Sequence, residues 1–197
     1  TAVDRVLIEK EQPDAVIIAT GATPFRPEVE IGMDISDDVH ALDAWQILRG
    51  EGNPGSRVVV ADWRCDWVGL GVAEKLALEG STVRLCIDGE THGQNLQLYL
   101  RTFWAGVMHK LGVEVIAYAR LDGADGDTVY FHHNGSGEPI ICEGVDTLVI
   151  AQGHKQNTIL EDEIRDLDIE THLIGDCLSP RSAEEAVYEG LIAAREV

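Results

Sequence analysis

Residues 57–80, RVVVADWRCDWVGLGVAEKLALEG, constrain this chain more than any other stretch. An apolar strand (Val58, Val59, Val60) enters a turn, and an amphipathic helix (Val72, Leu76, Ala77) leaves it. That is the outline of the strand, turn and helix that open a dinucleotide-binding α/β unit. The turn departs from the pattern. With Gly69 taken as the third glycine of GxGxxG, the first two fall at Arg64 and Asp66, and the connection is two residues too long.

The missing glycines have a chemical meaning. They let the backbone turn tightly and approach a pyrophosphate, while the helix N-terminus offers it partial positive charge. Here a carboxylate and the Trp63 and Trp67 rings are expected in that space. Arg64 either holds an adenosine phosphate or pairs with Asp66 to fill the cleft, and the added bulk and negative charge favour filling. Asp88, 19 residues after Gly69, stands where a ribose-binding acid belongs, or is an exposed turn residue before Gly89.

A net charge of −20 over 197 residues excludes the usual means of binding nucleic acid or an anionic membrane, both of which need Lys and Arg. The acidity suits a cytoplasmic protein, and a halophilic origin would also produce it. Four cysteines (Cys65, Cys86, Cys142, Cys177) lack CxxC spacing and read as reduced and mostly buried. No apolar run reaches the roughly 18 residues of a membrane span, and residues 1–14 lack the pattern of a signal peptide. The sequon Asn134-Gly135-Ser136 reads as a turn.

Strand–helix alternation gives the organisation: strand 57–61, helix 69–79, strand 82–87, helix 96–110, strand 113–118. Before it come a buried-looking strand, DAVIIAT (14–20), and a Pro-containing linker ending in a short helix near Asp43–Leu48. After it come a hairpin over 127–142, a strand in VDTLVIAQG (145–153), a strand in THLIGDC (171–177) and a helix from Ser182 to Val197. DAVIIATG (14–21) and DTLVIAQG (146–153) share one pattern, an apolar strand ending in a small residue and a glycine. A chain leaves a sheet in this way where a ligand or another backbone comes close, though an ordinary strand exit looks the same.

Taken with ATGATP (19–24) and HLIGDCLSPRSAEEAVYEGLIAAREV (172–197), these segments stand in the order seen in two-dinucleotide-binding-domain flavoproteins. The ending IGDC-x-x-PR resembles the C-terminal nucleotide-binding region of NADH:flavin oxidoreductase-type iron–sulfur flavoenzymes. That group includes 2,4-dienoyl-CoA reductase and trimethylamine and dimethylamine dehydrogenase. The long, degraded turn is most similar to the trimethylamine dehydrogenase branch. The resemblance implies an α/β, Rossmann-like fold with a complete inner domain inserted in a partial outer one. Residues 1–49 would be the end of an outer FAD/ADP-like domain plus linker, 50–155 an inner NAD(P)-like domain, and 156–197 the returning strand and helix.

The same resemblance implies where a ligand would sit. Asp176 of the Gly175-Asp176 pair would reach toward a ribityl or ribose-phosphate region, or would simply cap the following loop. Thr20 and Gly21 would line that cleft from the other strand, by close backbone approach. Arg181 would pair with a phosphate or with a carboxylate of a neighbouring domain. ADP or FAD would occupy this outer cleft once a missing βαβ segment completed it, and NAD(P) in the inner domain is doubtful. FMN and a 4Fe-4S cluster would belong to a missing N-terminal barrel, electrons would leave to a carrier such as an electron-transfer flavoprotein, and the whole enzyme would be a homo-oligomer. The competing expectations are an active NAD(P)H-binding domain and a free-standing interaction domain.

The remaining candidates read as structural. His132 and His133 are adjacent in a strand, point to opposite faces and read as solvated. Tyr99, Phe103 and Trp104 read as core packing on the helix 96–110. No nucleophile with a positioned base is recognisable.

Overall fold

The structure is a computed structural model and describes residues 2–197. The chain begins with α1 (Arg5–Glu11), β1 (Ala15–Ile18), β2 (Ala22–Pro24), α2 (Pro27–Glu30), β3 (Asp34–Ile35), β4 (Ala41–Asp43) and α3 (Ala44–Arg49). It continues through β5 (Arg57–Asp62), α4 (Trp67–Leu78), β6 (Thr82–Ile87), α5 (Leu98–Leu111), β7 (Glu114–Ile116), β8 (Ala119–Asp125), β9 (Thr128–His133) and β10 (Pro139–Cys142). It closes with β11 (Thr147–Ala151), β12 (His154–Gln156), α6 (Ile159–Ile164), β13 (Glu170–Leu173), a 3-10 turn (Gly175–Cys177) and α7 (Ala183–Glu196). Two compact units result: an inner one, Pro24–Gly153, inserted in an outer one made of residues up to Thr23 and of His154–Val197. The fold class is the expected Rossmann-like α/β arrangement.

The inner unit is built on a parallel five-stranded sheet of order β4-β11-β5-β6-β7. Side chains alternate along β5, so Val58 and Val60 face one way and Val59 and Ala61 the other. The first pair packs with Leu70 and Leu76 of α4 and Met108 of α5. The second packs with Leu121, Val129 and Phe131 of a four-stranded sheet, β10-β9-β8-β3. Burial on both faces is why β5 and β11 read as unbroken apolar runs.

Residues 24–49, read from sequence as outer-domain end and linker, pair into both of these sheets. β4 lies beside β11, β3 beside β8, and Asp43 caps α3 through a reciprocal capping box with Gln46. Strands of two and three residues carry no visible periodicity, so this segment looks like a linker from sequence. Helix α4 starts two residues before position 69, because the Asp66 side chain accepts the Val68 N–H and caps it there.

The expected aromatic core on α5 needs correction. Trp104 is buried, whereas Tyr99 and Phe103 are largely exposed. Leu100, Trp104, Val107, Met108 and Leu111 form the inward stripe at helical spacing, and positions 99 and 103 fall beside it.

In the outer unit β1 pairs in parallel with β13, from Ala15↔Glu170 to Ile18↔Leu173. Ile8, Ile18, Ile164 and Cys177 form its buried core. The Cys177 thiol donates to the Ile18 carbonyl at 2.9 Å, which pins the 3-10 turn to the end of β1. Ser182 and Glu185 then start α7 with a second capping box. Among the described residues no helix is long and apolar enough to cross a membrane.

Candidate functional site

The end of β1 and the turn after β13 enclose a cleft of about 340 Å³, within the range of small-molecule sites. Gly21, Gly175, Asp176 and Arg181 line it, joined by Ile174 and Ser182. Gly21 has φ +74°, and a Cβ added there would meet no atom within 4 Å. Gly175 has φ +64°, and its Cβ would lie 3.3 Å from that of Ala186, so glycine lets the turn sit close against α7. Thr20 does not line the cleft: its hydroxyl donates to the Asn157 carbonyl at 2.6 Å and fixes the loop after β12.

Asp176 accepts the Arg181 N–H at 3.3 Å, so it shapes the 176–181 loop while lining the cleft. The Arg181 guanidinium pairs with Glu189 of α7, a carboxylate of the same unit. Glu189 also accepts the Gly175 N–H at 2.7 Å. One carboxylate thus holds both the cation and the backbone donor nearest the GD turn. Its position in α7, eight residues past Arg181, gave no hint of this in the sequence.

The turn after β5 has a different character. Cys65 takes the left-handed conformation (φ 50°) that a glycine would ordinarily supply, and its N–H donates to Asp62 Oδ1 at 3.0 Å. The loop donor therefore turns inward onto the chain's own carboxylate. Asp62 is 2% exposed, its Oδ2 has no hydrogen-bond partner, and burial pushes its carboxyl up to about 7. Asp66 occupies the N-terminus of α4 and pairs with Arg64 at 2.7 Å. The expected Arg64–Asp66 pair is present. The tryptophans are not what fills the turn, since Trp63 and Trp67 are each 53% exposed.

The two related strand ends have diverged accordingly. Gly153, after β11, would place a Cβ 3.3 Å from Arg64 Cδ and 3.6 Å from the Trp63 ring. Its close neighbour is the altered turn, whereas Gly21 faces open space. Asp88 is engaged as well, by Arg120 at 3.1 Å and by the Asn134 side-chain amide. His132 pairs with Asp122 at 2.6 Å, and His133 Nδ1 accepts the Gly135 and Ser136 N–H groups. The histidines are hairpin braces, where the sequence suggested solvated side chains. No cluster of three or more His, Cys, Asp or Glu among the described residues could hold a metal.

Gly69 is the residue of α4 that faces Asp62. A Cβ there would lie 2.3 Å from Asp62 Oδ2, closer than real contacts allow. Gly69→Ala is therefore expected to destabilise the inner unit by roughly 1–3 kcal/mol in spite of alanine's better helix propensity. Chemical denaturation of the variant reads this directly. The cost should shrink in an Asp62→Ala background, and an unchanged cost there would place the strain elsewhere.

A parallel-sheet unit with a covered turn, inserted in a unit with an open glycine-lined cleft, gives a Rossmann-like α/β fold similar to the FAD/NAD(P)-binding domains of flavoprotein oxidoreductases. No family model matches the chain. Among curated proteins it is 26% identical to N,N-dimethylglycine/sarcosine dehydrogenase of Chromohalobacter salexigens, over 97% of this chain and 33% of that protein. It is 28% identical to bilirubin reductase of Mediterraneibacter gnavus, over 97% of this chain and 28% of that protein. Among solved structures, histamine dehydrogenase from Rhizobium sp. 4-9 superimposes with a TM-score of 0.85 at 21% identity, covering all of this chain and 32% of that one. The chain thus spans about a third or less of the length of these relatives. They match the family and branch that the motifs resemble, the C-terminal nucleotide-binding region of NADH:flavin oxidoreductase-type flavoenzymes.

Proposed function

We propose that this chain is the nucleotide-binding module of an amine-dehydrogenase-like flavin and iron–sulfur oxidoreductase, holding ADP or the ADP part of FAD at its outer cleft. The inner unit serves as structure and no longer takes NAD(P). The contrast between Gly21 and Gly153 carries this reading: matching strand ends, one open to a cleft and the other covered by Arg64 and Trp63. In the inner turn Asp62 and Asp66 already take the Cys65 and Val68 N–H groups that a pyrophosphate would need, and the Asp66 carboxylate would further repel it. At the outer cleft Asp176 would accept sugar hydroxyls and Gly21 would admit the ligand to the backbone.

The dehydrogenase name of one relative and its greater length support the rest of the proposal. A barrel elsewhere in the polypeptide would carry FMN and a 4Fe-4S cluster, and a further βαβ segment would complete the outer sheet. The flavin would accept the electrons of an oxidised C–N bond. They would leave to a carrier such as an electron-transfer flavoprotein, in a cytoplasmic homo-oligomer. Stopped-flow reduction of the full-length protein's flavin tests this. An N-methylated amine is expected to bleach the flavin, and NADH or NADPH is expected to give no saturable reduction. Saturable reduction by either nicotinamide would overturn the structural role of the inner unit.

A further inference from the structure

We propose that Cys86 and Cys142 are a modification site at which hydrogen peroxide closes an intrachain disulfide between the two sheets of the inner unit. Cys86 lies in β6 of the parallel sheet and Cys142 ends β10 of the four-stranded sheet. Their sulfurs meet at 3.9 Å inside the core shared by the two sheets. A bond of about 2.05 Å needs each sulfur to move by roughly an ångström, within reach of side-chain rotation. The other two cysteines lie apart from this pair: Cys65 in the turn after β5 and Cys177 in the outer unit.

Access and reactivity both favour Cys142 as the first to react. β10 is an edge strand with β9 as its one neighbour, so a transient opening of β10 that parts the Arg84–Glu143 contact would expose the Cys142 sulfur to a small oxidant. The residue after Cys142 is held to β6 by the Arg84 guanidinium, which donates to the Glu143 carbonyl at 2.8 Å and restores the register when the sulfur returns. The charged groups facing the pair are Arg84 and Glu114. Hydrogen bonding by the Cys86 thiol, reinforced by Arg84, lowers the Cys142 thiol from its ordinary value, so the thiolate forms on that side.

The chemistry balances in two steps. The Cys142 thiolate attacks one oxygen of the peroxide, the O–O bond breaks, and sulfenic acid and hydroxide form. The Cys86 sulfur then attacks the sulfenic sulfur, the S–O bond breaks, and water leaves with the Cys86 proton. In total, two thiols and one peroxide give one disulfide and two waters. The bond joins the parallel sheet to the edge of the sheet that covers it.

Differential alkylation of the full-length protein tests the site. Native protein is treated with hydrogen peroxide, denatured and alkylated with one reagent, then reduced and alkylated with a heavy form of it. The Cys86 and Cys142 peptides are expected to take the heavy label together, and a portion left unreduced is expected to hold a joined peptide about 2 Da lighter than the two reduced peptides summed. Cys65 and Cys177 are expected to keep the light label. Cys142→Ser should leave Cys86 light-labelled, and the oxidised wild type should melt at a higher temperature, reversibly with dithiothreitol. Light label on both peptides at peroxide levels that oxidise free glutathione would overturn the proposal. So would sulfinic acid at Cys142 without a joined peptide.

Discussion

Replacing Asp62 with asparagine is expected to stabilise the protein above pH 7 and to flatten its stability between about pH 4 and 7. In the folded chain the Asp62 carboxyl titrates at about 7, raised mainly by burial, against an ordinary value of 3.8. Between those values the folded state holds a proton that the unfolded state has released. Stability contributed by this proton is complete below the unfolded pKa and is lost as pH rises through the folded one. A shift of about 3 units corresponds to about 4 kcal/mol.

Asparagine keeps an oxygen for the Cys65 N–H, the bond that holds the turn at 3.0 Å, and never ionises. Carboxylates with lowered values, such as Asp146 beside Arg57 and Asp166 beside Arg5, act at more acidic pH. His92, lowered by burial, has the opposite sign near the top of the window, so the difference between wild type and variant isolates Asp62. Urea midpoints at pH 5 and pH 8 provide the measurement. Wild type should lose stability across that interval and the variant should not, and equal losses would remove Asp62 as the source.

Gly21→Val should weaken nucleotide binding at the outer cleft about a hundredfold or more while leaving the fold intact. The position lines the cleft and has no atom within 4 Å of a Cβ, so the valine would stand in the ligand's volume instead of colliding with protein. Its φ of +74° makes the substitution strained by about 1–2 kcal/mol, a cost the rest of the unit must carry. Loss of close backbone approach at the ligand should cost about 3 kcal/mol or more, a hundredfold in affinity for ADP. Gly153→Ala is the matched control: it crowds Arg64 and Trp63 and should leave ADP affinity unchanged. Isothermal titration of the full-length protein with ADP compares them, and equal losses in both variants would contradict the assignment of the ligand to Gly21.

Much of the fold was legible because burial on two faces writes unbroken apolar runs. β5, β6 and β11 announce themselves in VVVA, VRLCI and TLVIA, and the hairpin of β9 and β10 in its Asn-Gly turn. β8 escaped notice since ARLDGAD holds two aspartates and a glycine, with a bulge between Leu121 and Gly123 that breaks the alternation. Gly21 stands at the end of a recognisable strand pattern, while Gly175, Asp176 and Arg181 were placed by the resemblance of IGDC-x-x-PR, and the four do come together. Thr20 turned away because its hydroxyl reached a nearby carbonyl, a local competition no pattern encodes. Asp62 was overlooked for a related reason. An acid at the last position of a strand looks exposed in sequence, and only the left-handed turn at Cys65 and the bare face of Gly69 bury it.

The location of bound nucleotide tests the central claim most directly. Crystals of the full-length protein soaked separately with ADP and with NADH are expected to show ADP between Gly21 and the Gly175-Asp176 turn. With NADH, no pyrophosphate should appear against the N-terminus of α4, where Asp62 and Asp66 already hold the donors. An NADH pyrophosphate seated at residues 63–69, with the Asp62 carboxylate displaced, would contradict the account.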